Sequence, residues 1–140
     1  MVSVDFAKFR LIGIYMPNLL AKIPYWEALI APSHRRALTV HWPSATLVLV
    51  AHISTRRGAI DRTALYMDAI ERIGFRDLWR QRYPERREYS WFSTKRNGFR
   101  IDHAFLSQRL APFAGTIHYA HDERVAGLSD HSPLILELAA

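Results

Sequence analysis

Two short stretches in the last third of the chain hold the side chains best able to do chemistry. Asn97-Gly98-Phe99-Arg100-Ile101-Asp102 leads into His103-Ala104-Phe105-Leu106-Ser107, and Gly127-Leu128-Ser129-Asp130-His131-Ser132-Pro133 leads into Leu134-Ile135-Leu136. An aspartate set among apolar strand residues is costly unless it has a partner, and Asp102 is such a residue. His131 can be that partner. A carboxylate that fixes one ring nitrogen of an imidazole leaves the other nitrogen to work, and Asp130 remains as a second carboxylate able to hold a metal ion. The plainer reading of Ser-Asp-His is a turn at the mouth of a strand. The rest of the seven histidines show no metal-ligand spacing, and His34, His41, His118 and His121 read as surface residues.

The elements that must position these groups can be read from the hydrophobic periods. Strands are expected at 9–15, 45–53, 89–93, 99–106, 115–120 and 133–138, the 45–53 run being apolar enough for a buried strand. Helices are expected at 23–31, stopped by Pro32, and at 63–73, with Asp61 as N-cap, Tyr66, Ile70 and Ile73 on one face, and Gly74 just past the end. A further helical turn is expected at 77–83. A strand-rich end with helices outside gives an α/β layered sandwich built as one domain over 1–140.

Bulk properties narrow the function. The 140 residues are 49% hydrophobic and 12% aromatic, which excludes a disordered chain. With no cysteine there are no disulfides and no thiolate metal sites, which suits a cytoplasmic protein. No apolar run reaches the length of a membrane span, so no membrane partner is expected. The net charge of +6 raises the case for a polyanionic partner.

Three further motifs complete a pattern. Gly13-Ile14-Tyr15-Met16-Pro17-Asn18 is a strand end and turn of the form Tyr-x-Pro-Asn; Tyr89-Ser90-Trp91-Phe92-Ser93 alternates aromatic and hydroxyl side chains; Asp77-Leu78-Trp79-Arg80 and Tyr83-Pro84 read as scaffold. With Arg100-Ile101-Asp102 and Ser129-Asp130-His131, the chain resembles the C-terminal half of the endonuclease/exonuclease/phosphatase superfamily, to which exonuclease III and the abasic-site endonucleases belong. The fold so implied is half of a four-layer α/β sandwich, a mixed sheet with outer helices. The implied activity is hydrolysis of a phosphodiester or phosphomonoester with Mg2+ or Mn2+, in nucleic acid and most readily DNA.

The resemblance also distributes roles. His131 contacts the scissile phosphate, Asp102 holds His131, Asp130 binds the metal or its water, and Tyr15 and Asn18 donate to the phosphate. Phe99 and Arg100 stand at the substrate, Phe99 stacking on a base or sugar unless it simply packs the sheet edge.

The chain departs from the family in two places. The family's metal-binding glutamate belongs to an N-terminal half that has no counterpart here. Its Gly-Asp-x-Asn is replaced by Ala51-His52-Ile53-Ser54, in which neither His52 nor Ser54 is an anionic base. Codons for this region, read in a shifted frame, can spell the lost motif, so 39–57 is expected to be a frameshifted insert less well fitted to the fold than its flanks. The alternative to an enzyme is a non-catalytic remnant: a fragment that binds phosphate or nucleic acid, or that needs a partner supplying the other half. Such a half-sandwich is expected to expose an apolar face and to self-associate.

Overall fold

The computed structural model describes residues 2–17, 19–30, 45–51 and 60–139. The motif residue Asn18, the segment 31–44 and residues 52–59 lie outside the described residues.

A five-stranded sheet organises the molecule, in the order β1 (Val2–Asp5), β2 (Phe9–Tyr15), β3 (Ala45–Ala51), β7 (His103–Ser107), β4 (Phe75–Asp77). It is mixed: β2 and β3 run parallel, and the remaining neighbours are antiparallel. The expected 9–15 strand is found at the expected bounds. The 45–53 run forms β3 over Ala45–Ala51, paired on both sides at the centre of the sheet. An alternating pattern explains how β2 serves two layers. Ile12 and Ile14 are buried with Trp26 and Leu29 of α1 (Ile23–Ile30) and Ile70 of α2 (Ile60–Arg72), whereas Phe9 and Leu11 pack on the opposite cluster.

The opposite face is covered by two elements. One is a two-stranded sheet of β8 (Ala114–Tyr119) and β9 (Leu134–Leu138), contributing Ile117, Tyr119, Leu134, Leu136 and Leu138. The other is the short helix α3 (Leu78–Arg82), whose Leu78 and Trp79 are buried. Burying each such large apolar side chain is worth about 1.5–3 kcal/mol, so the two clusters fix the layer order. Helices, mixed sheet and second sheet make the α/β sandwich that the periods predict. No helix of the described residues is long and apolar enough to cross a membrane.

Three local expectations change. Strands β1 and β4 are additions: β1 is held to β2 at the exposed edge by the Arg10–Asp5 pair at 2.6 Å. Helix α2 begins at Ile60, so Asp61 lies in its first turn rather than at the cap. Gly74 does end that helix, at φ +97°. The third change matters most. The expected 99–106 strand is broken into β6 (Gly98–Phe99), which pairs with β5 (Trp91–Phe92) in a separate hairpin, and β7, which joins the main sheet. Residues 100–102 span the break.

Candidate functional site

Asp102 sits at that break, and its missing ladder bonds are replaced one by one. Its backbone N–H and that of Ile101 donate to Ser90 Oγ at 3.2 and 3.0 Å. Its carbonyl accepts from the Tyr119 hydroxyl at 2.5 Å. With the backbone held in this way, the carboxylate faces His131, whose Nδ1 donates to Asp102 Oδ2 at 2.8 Å. A carboxylate only accepts, so Nδ1 carries the proton and the basic lone pair of the neutral ring is on Nε2. The pair is partly open, with side-chain exposures of 25% for His131 and 14% for Asp102.

The loop bearing His131 is equally well tied. The His131 N–H donates to Ser129 Oγ at 3.1 Å, a β-bridge joins His131 to Trp91, and the Ser132 N–H donates to the Ser90 carbonyl at 2.7 Å. Asp130 is exposed, and its Oδ2 accepts from Trp91 Nε1 at 3.2 Å. Trp91 and Phe99 lie side by side, ring centres 6.0 Å apart. Asp102, Asp130, His131, Trp91 and Phe99 therefore form one cluster.

Tyr15 belongs to the same end of the sheet. It pairs in register with Ala51, the residue after Val50, and Val50 pairs with His103, the residue after Asp102. Tyr15 and Asp102 are thus level with each other, two strands apart, which is about 10 Å. The Tyr15 side chain is 68% exposed. The strand between them ends at Ala51, where the Ala51-His52-Ile53-Ser54 sequence begins.

Arg100 is not at the open site. Its guanidinium bonds Asp77 at 2.7 and 3.2 Å and lies 5.2 Å from the Trp79 ring centre. At 10% side-chain exposure it has turned inward to neutralise a buried acid, and the substrate-contact expectation for it does not fit that position.

Asp77 anchors a second carboxylate–imidazole pair: His103 Nδ1 donates to its Oδ2 at 2.8 Å. Burial alone would raise the Asp77 pKa, but the His103 hydrogen bond and the nearby Arg100 charge hold it well below the usual carboxylate range. Burial pushes the His103 pKa down, against the pull of Asp77, so the ring is neutral. Burial also pushes the Tyr119 hydroxyl up, so it stays a donor to Asp102.

Sequence reasoning reads Ser90 and Trp91 only as part of a strand of aromatic and hydroxyl residues, with no role at the site, and misses a further group. Ser132, 1% exposed, accepts from Arg124 Nε at 2.8 Å and donates to His121 Nδ1 at 2.9 Å. His121 Nε2 in turn donates to Glu88 at 3.2 Å, so this histidine is engaged at both nitrogens rather than idle on the surface. Short-range patterns carry no signal for these contacts, which span 8 to 42 positions. The one available hint was the hydroxyl at Ser90 between aromatic neighbours.

A divalent ion of the magnesium type is held by one or two carboxylates together with water and substrate phosphate. Asp130 fits as one such ligand, since a single oxygen is engaged by Trp91. Among the described residues no group of three or more His, Cys, Asp or Glu is placed to hold a metal.

No protein-family model and no curated protein matches the sequence. Solved structures do match. A 3′-5′ exonuclease, NExo, from Neisseria meningitidis superposes with TM-score 0.79 at 20% identity, over 99% of this chain and 64% of its own. A Neisseria NExo structure described as a 3′ phosphatase bound to product DNA hairpin gives TM-score 0.80 at 19% identity, again over 99% and 64%. An AP endonuclease from Archaeoglobus fulgidus gives TM-score 0.78 at 18% identity, with the same 99% and 64%. The fold is that of these nuclease and phosphatase proteins, and the chain spans 64% of their length.

Proposed function

We propose that the chain carries the histidine side of a divalent-metal-dependent phosphate-ester hydrolase acting on nucleic acid, DNA in the first place, in the cytoplasm. The observation that carries this reading is the 2.8 Å bond from His131 Nδ1 to Asp102. It stands beside an open carboxylate, Asp130, and a pair of rings, Trp91 and Phe99. That the structural neighbours are an exonuclease, a 3′ phosphatase and an AP endonuclease supports nucleic acid as substrate, and the net charge of +6 suits a polyanion.

In this reading His131 presents Nε2 to the phosphate while Asp102 keeps the proton on Nδ1 and balances the charge of the ring when it is protonated. Tyr15 donates its hydroxyl to a phosphate oxygen from the level of Asp102, and Asn18 does the same from the turn beyond it. Phe99 and Trp91 pack against a base or sugar. Asp130 is the ligand this chain offers to Mg2+ or Mn2+, which when bound neutralises charge developing on phosphate oxygens.

A second reading rests on the lack, among the described residues, of a fuller carboxylate cluster beside Asp130. The chain then binds phosphate or nucleic acid and needs a complementary part, from a partner or a second copy, to turn over. Val125 and Leu128, 78% and 80% exposed beside the Asp130 loop, offer apolar surface for that contact.

Incubation with supercoiled plasmid and Mg2+ or Mn2+ separates the readings. Nicking that is lost with a chelator and with His131→Ala supports the hydrolase. Plasmid retention without nicking supports the binding fragment. Neither retention nor nicking would overturn both.

A further inference from the structure

We infer that Ser90 is a positioning residue of the Asp102–His131 pair, acting, among the described residues, as a point at which the segments bearing both halves of that pair are tied. This rests on the reading of Asp102 and His131 as the reacting centre for its functional consequence, though not for its geometry.

Ser90 is fully buried, and it is bonded through its amide, its carbonyl and its hydroxyl. Its N–H donates to the Phe99 carbonyl at 2.9 Å, and its carbonyl accepts from the Ser132 N–H at 2.7 Å. Its Oγ accepts from Ile101 N–H at 3.0 Å and Asp102 N–H at 3.2 Å. Three of these four bonds end on Asp102, on the residue before it and on the residue after His131. The chain leaves one sheet for another at 100–102, so the two amides taken by Ser90 Oγ have lost their ladder partners. A hydroxyl with two lone pairs is the smallest side chain that can satisfy both at once. Buried amides left without an acceptor would drive the break to a different path. Because Asp102 Oδ2 and His131 Nδ1 hang from the two segments that Ser90 joins, any such shift changes their separation directly. A serine that merely stabilised the β5–β6 hairpin would be bonded along the hairpin; the Oγ bonds instead lead out of it.

The molecule supplies its own control. The buried Asp77–His103 pair is bonded at the same 2.8 Å but shares no hydrogen bond with Ser90. In the full chain, the hydrogen-bonded Nδ1 protons of His131 and His103 can be followed together by proton–nitrogen NMR. In Ser90→Ala, exchange of the His131 ring proton with water should rise about 5- to 30-fold, the change that one or two kcal/mol of lost local stability brings. The His103 proton should be unaffected. Ser90→Thr, which keeps the hydroxyl, should restore protection of His131. Equal protection of His131 in the parent and in Ser90→Ala overturns the inference. Should Ser90→Ala lose the His103 signal, and with it the fold, Ser90→Cys provides the same reading with a weaker acceptor of similar size. Unchanged protection of His131 in a folded Ser90→Cys overturns the inference as well. Turnover is scored separately. If phosphate esters are hydrolysed, the Ser90 variants should lose kcat with KM held; if they are not, the hydrolase reading falls while the ring-proton result still decides the role of Ser90.

Discussion

Asp102 and His103 are neighbours in the chain, and each belongs to a carboxylate–imidazole pair with a 2.8 Å bond. The two pairs have opposite environments. Asp102–His131 is partly open and joins two loops, with side-chain exposures of 14% and 25%. Asp77–His103 has side-chain exposures of 4% and 6%, is braced by Arg100, and lies inside the fold. What separates them is the strand break at 100–102, after which successive side chains point to opposite faces of the sheet. The same two side-chain types make an open pair where solvent reaches them, the pair proposed above as the reacting centre, and a buried pair where a guanidinium neutralises the acid. Beside the inner pair, Arg100 leads directly into the break, and Tyr119, which bonds the Asp102 carbonyl, packs on Trp79 with ring centres 5.9 Å apart.

If that division is right, removing the outer pair should cost activity and leave the fold. His131→Ala should lower any metal-dependent cleavage by about 10²- to 10⁴-fold, the usual worth of a positioned acid–base group, with the circular dichroism spectrum unchanged. Loss of structure on that change would break the comparison.

Removing the inner pair should do the reverse. Asp77→Ala leaves the Arg100 charge buried without its partner, which costs about 3–5 kcal/mol and would unfold much of a marginally stable domain. Urea titration followed by tryptophan fluorescence measures this, and an Asp77→Ala protein as stable as the parent would refute the scaffold role.

Acid should sharpen the contrast. His103 has its folded pKa lowered, so below about 6.5 the unfolded state binds a proton that the folded state refuses. Stability is then lost as pH falls below that value, by at most about 1.4 kcal/mol per pH unit. Asp77 is lowered too, and its contribution, complete above about 3.9, is lost at still lower pH as the carboxylate is forced to protonate. Unfolding free energies at pH 7, 5.5 and 4 should therefore fall in that order. His103→Asn should flatten the first part of the decline.

A smaller effect is expected at the hairpin beside the open pair. A Cβ on Gly98 would meet the Tyr89 ring at 2.5–2.9 Å, and Gly98 precedes Phe99. Gly98→Ala should displace Tyr89 at a cost of about 1–3 kcal/mol, read as a lower Tm, and should disturb the Trp91–Phe99 face more than the Asp77–His103 pair. Weakest of all should be self-association through Val125 and Leu128. Light scattering across a concentration series, with Leu128→Ser shifting the curve toward monomer, measures it; a monomer at every concentration counts against this surface as a docking face.

Much of the layering was legible because burial writes periods into sequence. The alternation in Phe9–Tyr15 and the helical spacing of Tyr66, Ile70 and Ile73 need no knowledge of the fold. The pairing of Asp102 with His131 was legible for a related reason: an acid in apolar company requires a partner, and the chain has few candidates. Position 74 announced a helix end because a glycine is at ease at φ +97°. Tertiary structure decided what short-range physics cannot encode. Phe99 to Leu106 reads as one strand, yet Ser90 and Tyr119, brought from 11 and 17 positions away, take the backbone groups of Ile101 and Asp102 and split it in two. Arg100 reads as a surface cation beside a site, and only the arrival of Asp77 from 23 positions away turns it inward. Residue type and period fix which groups must be satisfied, and the fold alone supplies the partners that satisfy them, because those partners are distant in the chain.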